Sequence, residues 1–187
     1  SMMRIMKESL RAAYEYMSSN TVRLGIDPDF KKDYDISVLA TEMGIPKEGP
    51  SAGITILVTL ISALTQRPVR NDVAMTGEIT LLGKILPVGG IQEKLVAAYE
   101  SGIRTVYVPA GNKNQIYGLP DELRKNLDVR LVERVEEVLN EVILDYHTTT
   151  EKELEEKYAE SEPYNQLRQL EEGLREFIES KLAALSS

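Results

Sequence analysis

An almost unbroken apolar stretch, from residue 51 to about residue 66, constrains the fold of this chain most strongly. The stretch is shorter than the roughly 20 apolar residues that a membrane-spanning helix needs. A loop rich in Gly and Pro comes directly before it. A helix that is apolar on nearly every side has to be enclosed by other elements. The sequence therefore predicts a buried helix at the centre of a globular domain.

Helices and strands alternate on both sides of this stretch. Apolar residues at helical spacing predict a helix over residues 4–18, and alternating Ile36, Val38 and Ala40 predict a strand over residues 34–40. The same criteria predict further strands within 73–88, 105–108 and 129–132, and further helices over 90–101, 120–126 and 135–146. The strands within 73–88 are expected to bend at residues 76–77 and 82–83. This alternation indicates an α/β or α+β domain.

The composition changes near His147. We predict a catalytic-type domain over residues 1–146, a polar linker or solvated helical segment over 147–163, and an amphipathic helix over 164–187. The apolar stripe of that last helix consists of Leu167, Leu170, Leu174, Phe177, Ile178, Leu182 and Leu185. Its spacing is compatible with packing on the same domain or on a neighbouring subunit.

Charge and cysteine content exclude several classes of function. Acidic residues outnumber basic ones by 30 to 22, which argues against a nucleic-acid partner because phosphate binding needs a basic surface. The absence of Cys excludes disulfides, zinc–thiolate sites and a cysteine nucleophile. The sequence also contains no cluster of metal ligands and no apolar run that predicts a membrane partner, so we expect neither a metal nor a membrane to be involved.

Ser51, at the mouth of the apolar helix, is a candidate nucleophile. A serine in this position can also be a simple helix N-cap, since Ser is among the best N-cap residues. The functional interpretation is that backbone N–H groups at the helix N-terminus stabilise an oxyanion next to the serine. A serine nucleophile also needs a general base.

Lys94 is the best candidate for that base. The chain contains one histidine, His147, which we interpret as a solvated residue at a helix C-terminus, so a Ser-His-Asp triad is not expected. Gly89 and Gly90 form a tight turn before Lys94, and the four residues after it are apolar, an environment that favours a neutral amine. The alternative is an ordinary surface lysine paired with Glu93 or Glu100.

Three motifs, in the same order, resemble the proteolytic domain of Lon proteases. Residues 46–53 (PKEGPSAG) resemble the nucleophile motif of that family, and residues 75–81 (MTGEITL) and 88–94 (VGGIQEK) resemble the next two signatures. The 43-residue interval between Ser51 and Lys94 also suits the family. The resemblance covers roughly residues 4–145.

This resemblance implies a Ser-Lys dyad on an α+β fold of short β-sheets with packed helices, truncated at its N-terminus and extended by a C-terminal helix. Ser51 would attack the peptide carbonyl, Lys94 would take and return the proton, and Thr76 would orient the amine. The residues expected to support them are Glu48, Gly49, Pro50, Ala52, Gly89 and Gly90. The family also implies a cytoplasmic hexameric ring that degrades unfolded proteins. ATP and Mg²⁺ are expected on an ATPase domain upstream, and no cofactor is expected to bind residues 1–187.

Two departures from the family pattern keep a second class of function open. The His-X-His pair of many Lon proteins is replaced by Ser37, Val38 and Leu39, and the usual Asp before Gly-Pro-Ser is Glu48. The alternative is a Lon-like module of a DNA-repair or BREX phage-defence ATPase that serves assembly. A P-loop at residues 77–85 is rejected because the glycine spacing is one residue too long and Ile85 replaces the required Ser or Thr.

Overall fold

A computed structural model describes residues 2–33 and 52–185 of the chain. The chain divides into two compact units, Ser1–Thr148 and Thr149–Ser187. The predicted strand over 34–40, the loop that follows it and Ser51 lie outside the described residues.

The first unit mixes helices with short strands. Its described elements are α1 (Met2–Ser19), α2 (Thr21–Leu24), α3 (Phe30–Asp33), α4 (Gly53–Thr65), β1 (Val73–Met75), β2 (Glu78–Ile79), β3 (Ile85–Leu86), α5 (Ile91–Glu100), β4 (Thr105–Pro109), α6 (Lys113–Tyr117), α7 (Asp121–Asn126), β5 (Asp128–Val132) and α8 (Val135–Val142). A short 3-10 turn, Ala110–Asn112, joins β4 to α6. This is the α+β architecture that the sequence predicts.

In the described part of the chain, β1, β4 and β5 form a parallel sheet with β4 in the middle. Val73 lies opposite Thr105 on β4, and Thr105 lies opposite Asp128 on β5. Strands β2 and β3 form a separate antiparallel hairpin. The hairpin occupies the stretch with P-loop-like glycines, so that stretch is strand and turn, as the rejection of a P-loop requires.

The apolar stretch forms the buried helix that the sequence predicts. Seven residues of α4 are buried, and six of them, including Ile54, Leu57 and Ile61, pack in one core with α1, α8 and the hairpin. A second core lies between the sheet and helices α5 and α7. Alternate residues of β4 point into different cores, with Val106 and Val108 in the second and Tyr107 in the first. The sheet is therefore covered on both faces.

The prediction of a helix over residues 135–146 is wrong at its C-terminal end. Helix α8 stops at Val142 because Ile143 adopts an extended conformation (φ −91°, ψ 122°) and bridges Val69. Asp145 then takes a left-handed conformation with φ 53°. His147 is exposed in the segment that follows, so it is solvated as expected but is not a helix C-terminal residue. The short helices α2, α3 and α6 were not predicted.

The second unit contains helices α9 (Glu151–Tyr158) and α10 (Glu162–Leu185). Helix α9 begins with a capping box, in which the Thr150 hydroxyl accepts a hydrogen bond from the Glu153 N–H and the Glu153 carboxylate accepts one from the Thr150 N–H. The seven residues of the predicted apolar stripe are all exposed, from 49% at Ile178 to 84% at Leu185.

A network of polar side chains ties α1 to α8 in the first unit. The buried Tyr16 hydroxyl donates a hydrogen bond of 2.6 Å to Glu136, and Arg134 donates one of 3.1 Å to the other oxygen of that carboxylate. Burial by itself would raise the pKa of Glu136, but the hydrogen bonds from Tyr16 and Arg134 outweigh it and lower that pKa below its usual value. The ionised carboxylate therefore stabilises the folded state.

We predict that Glu136→Gln lowers the free energy of unfolding by about 2 kcal/mol at pH 7, because the hydrogen bonds from Tyr16 and Arg134 lose their charged acceptor. A lowered carboxyl pKa contributes stability above the unfolded-state value, near 4.3, and that contribution is lost as the pH falls through the folded-state value. The difference between parent and variant should therefore narrow between pH 7 and pH 3. Urea unfolding at both pH values measures this difference, with the exposed Glu8→Gln as control. A difference that does not change with pH would contradict the assignment.

Candidate active site

Lys94 is placed by a tight turn that two glycines make possible. Gly90 is the N-cap of α5 and has φ 65° and ψ 30°, a left-handed conformation in which a side chain is strained. The Lys94 N–H donates to the Gly90 carbonyl at 3.1 Å and so forms the first turn of the helix. The Lys94 side chain is half-buried.

Thr76 lies next to the Lys94 amine. It follows β1 directly, and its backbone N–H extends the pairing with β4 by donating to the Tyr107 carbonyl at 3.1 Å. The Thr76 side chain is only 7% exposed. Lys94 Nζ lies 3.4 Å from Thr76 Oγ1, a long hydrogen bond. The sequence-based prediction that Thr76 orients the amine requires such a contact, and the role itself stays a prediction.

The N-terminus of α4 docks on the residue after Thr76. The Ile54 N–H donates a hydrogen bond of 3.1 Å to the Gly77 carbonyl. Gly53 makes the approach possible, since a Cβ there would lie 3.1 Å from the Ile79 nitrogen and 3.2 Å from Ile79 Cγ1. The N-cap of α4 is Ala52, which is buried.

The dipeptide Thr76-Gly77, which belongs to the second motif, therefore contacts both the third motif and the helix that follows the first. Thr76 contacts Lys94, and Gly77 contacts the start of the helix that follows Ser51. The remaining predicted residues of the nucleophile motif, Glu48, Gly49, Pro50 and Ser51, lie outside the described residues. Their roles stay predictions, as do those of Lys94 and Thr76.

Asn112 contributes to this region, although sequence reasoning did not single it out. Its side-chain oxygen accepts a hydrogen bond of 3.0 Å from the Val88 N–H, and its amide nitrogen donates one of 2.8 Å to the Val88 carbonyl. Val88 opens the motif that contains Lys94. The available signal was an Asn in a Pro- and Gly-containing segment directly after a strand, which by itself indicates only a turn.

The described residues offer no alternative metal or membrane site. No group of three or more His, Cys, Asp or Glu side chains within the two described ranges is placed to hold a metal ion. None of the helices in these ranges is long and apolar enough to cross a membrane. The chemistry that this part of the structure offers is that of a lysine amine, a threonine hydroxyl and a helix N-terminus.

Comparison with known proteins identifies the same family as the three sequence motifs. Residues 1–145 match the family model described as the Lon protease (S16) C-terminal proteolytic domain, and the chain belongs to this family. Among its relatives are Lon protease 1 of Syntrophobacter fumaroxidans, 46% identical over 140 residues or 75% of this chain, and the Lon protease of Escherichia coli K12, 50% identical over 135 residues or 72% of this chain.

The chain spans 17% of the length of each of these two relatives. Lon protease 1 of Bacillus subtilis is 44% identical over 140 residues, which are 75% of this chain and 18% of that protein. All three relatives carry the name of a protease. This favours the proteolytic interpretation over a Lon-like module that serves assembly.

We predict that Gly90→Ala destabilises the first unit by about 1 kcal/mol or more, because an L-residue is strained at φ 65°. Gly89→Ala is the matched control. Gly89 is adjacent to Gly90 but has no positive φ, and a Cβ on Gly89 would meet nothing within 4 Å. Thermal unfolding of the two variants beside the parent measures the difference. Equal melting temperatures would show that the turn into α5 does not depend on a left-handed glycine.

Proposed function

We propose that the chain is a serine endopeptidase in which Ser51 is the nucleophile and Lys94 the general base. The observation that carries the proposal is the double contact of Thr76-Gly77. Its threonine hydroxyl lies 3.4 Å from Lys94 Nζ, and its glycine carbonyl binds the N–H of Ile54, three residues after Ser51. A nucleophile and a base on separate elements need such a common support if they are to act together.

In the proposed reaction, the neutral Lys94 amine takes the proton of the Ser51 hydroxyl as its oxygen attacks the peptide carbonyl. The tetrahedral intermediate collapses when the Lys94 ammonium gives that proton to the leaving amine. This leaves an acyl-enzyme on Ser51. Water then attacks the ester, again with Lys94 as base, and restores the free serine.

Thr76 acts in this scheme through Lys94. The Lys94 amine donates to the threonine hydroxyl, and this hydrogen bond restricts the position of Nζ for the reaction with Ser51. The start of α4 supplies backbone N–H groups to the oxyanion. The Ile54 N–H already donates to the Gly77 carbonyl, so we assign the oxyanion to backbone amides earlier in the chain.

The properties of the whole protein are part of the same proposal and rest on family membership. We propose that it degrades unfolded proteins in the cytoplasm as a hexameric ring, for protein quality control, with ATP and Mg²⁺ bound by a separate ATPase part of the protein. No nucleic acid, metal or membrane is assigned to the residues described in this chain. The oligomeric state of the chain in solution is measurable by light scattering after size-exclusion chromatography.

We predict that the chain cleaves an unfolded fluorogenic substrate such as labelled casein, and that Ser51→Ala and Lys94→Ala each reduce the rate at least a hundredfold. Ser180→Ala and Lys125→Ala are the matched controls, because both side chains are exposed in the structure. The measurement is the initial rate of fluorescence release, with folding of each variant checked by circular dichroism.

Loss of cleavage in both dyad variants, with both controls active, supports the dyad. Cleavage that survives either substitution removes the role proposed for that residue. A folded parent chain that cleaves neither casein nor a short peptide would favour the alternative function, a Lon-like module that serves assembly.

We predict that Thr76→Val lowers kcat about fivefold to tenfold and leaves KM almost unchanged, because the isosteric change removes one hydrogen bond to the base. Thr76→Ser keeps the hydroxyl and should retain most of the activity. Steady-state kinetics on a short fluorogenic peptide separates the two parameters. Equal activity of the Val and Ser variants would show that the hydroxyl does not assist Lys94.

A further inference from the structure

Asn112 is a buried polar residue that the reaction scheme above does not use. Its side chain is 3% exposed and makes two hydrogen bonds with a single residue, one to the Val88 N–H and one to the Val88 carbonyl. The amide nitrogen also donates to the side-chain oxygen of Gln115. Because the nitrogen has two acceptors and the Val88 N–H needs an oxygen, the network fixes which way the amide points.

Val88 needs this contact because sheet pairing does not hold it. Strand β3 ends at Leu86, and α5 does not begin until Ile91. An amide side chain that pairs with both backbone groups of one residue replaces the neighbouring strand that would otherwise fix its conformation. Asn112 therefore supplies hydrogen-bond partners for both backbone groups of Val88 where the chain leaves the hairpin.

The next residues transmit this placement to Lys94. Gly89 and Gly90 separate Val88 from α5, and glycines have the widest conformational freedom of all residues. Without an anchor before them, the direction in which α5 begins would be loosely defined. Lys94 lies in the first turn of this helix, where its N–H binds the Gly90 carbonyl at 3.1 Å.

A packing contact beside Asn112 fixes the same segment. A Cβ on Gly111 would lie 2.8 Å from Pro87 Cγ, so the 3-10 turn is pressed against the residue before Val88. The hydrogen bonds of Asn112 and the close approach of Gly111 act on adjacent residues of one strand-to-helix connection. They tie that connection to the end of β4, the central strand of the described sheet.

We propose that Asn112 is a positioning residue for Lys94, which holds the turn at residues 88–90 so that the amine stays beside Thr76. The inference rests on the proposed function in that Lys94 is taken as the general base. A positioning role predicts a loss in kcat with little change in KM, since misplacement of a catalytic group by about 1 Å can cost roughly a hundredfold in rate.

The test compares Asn112→Leu and Asn112→Ala with Asn140→Ala. Leucine has nearly the shape of asparagine without its hydrogen bonds, so it separates bonding from packing. Asn140 is a matched control because its side chain also pairs with one residue, accepting from the Thr148 N–H at 2.7 Å and donating to the Thr148 hydroxyl at 3.2 Å. Asn140 lies on α8, whose buried side chains belong to the first core, whereas those of α5, the helix of Lys94, belong to the second.

Two readouts are measured on the full chain. One is kcat and KM for a short fluorogenic peptide. The other is the rate at which an N-hydroxysuccinimide ester acylates Lys94 relative to the exposed Lys84, followed by mass spectrometry of peptides. The second readout reports the environment of the Lys94 amine and does not depend on peptidase activity.

We expect both Asn112 variants to lose about tenfold or more in kcat with KM within twofold, and Lys94 to be acylated about threefold faster once its amine leaves Thr76. Asn140→Ala should change neither readout. Unchanged kcat and acylation in folded Asn112 variants would overturn the proposal, as would an equal change in Asn140→Ala.

If the parent is inactive, the proposed function fails, and the acylation ratio alone decides the role of Asn112. If neither Asn112 variant folds, amide hydrogen exchange at Val88 in the parent is the test. Rapid exchange would overturn the positioning role of Asn112, and slow exchange would support it.

Discussion

The close approach of α4 to the β2 strand depends on the absence of a side chain at residue 53. A Cβ at that position would lie 3.1 Å from the Ile79 backbone, closer than packed atoms normally come. With glycine there, the Ile54 N–H reaches the Gly77 carbonyl and the helix enters the core at a fixed angle. Six buried apolar side chains of α4 then pack between α1, α8 and the hairpin. The position of the chain segment that begins α4 is thus set by backbone contact and by the core together.

The candidate site lies where two hydrophobic cores meet. Helix α4 belongs to the first core and α5 to the second, and β4 contributes alternate side chains to both. Thr76 extends the pairing of β1 with β4, so the sheet determines where its hydroxyl points. Each core holds one of the two helices whose ends approach Thr76-Gly77. Packing in both cores therefore determines the relative position of α4 and α5, because protein interiors are close-packed and resist small shifts.

The sequence allowed the central helix to be predicted, because an apolar run of this length has few other structures open to it. The proximity of Thr76 to Lys94 came from the resemblance to a family, since periodicity in the sequence does not join residues 18 positions apart. The end of α8 was missed because a bridge between Ile143 and Val69 decides it, and that contact is long-range. Helices α2, α3 and α6 have four or five residues, too few for a periodic pattern. Asn112 was missed for a related reason, as its partner Val88 is 24 residues away.

We propose that Ser51 and Lys94 act as one unit, and covalent labelling with a fluorophosphonate is a direct test of their cooperation. The serine hydroxyl displaces fluoride from such a reagent only when a base activates it, and mass spectrometry of peptides locates the phosphonate. We predict one rapidly formed adduct, on Ser51, and a labelling rate lowered roughly a hundredfold in Lys94→Met, which keeps the length of the side chain without its amine. An adduct on another serine, or equal labelling of Ser51 in Lys94→Met, would contradict it.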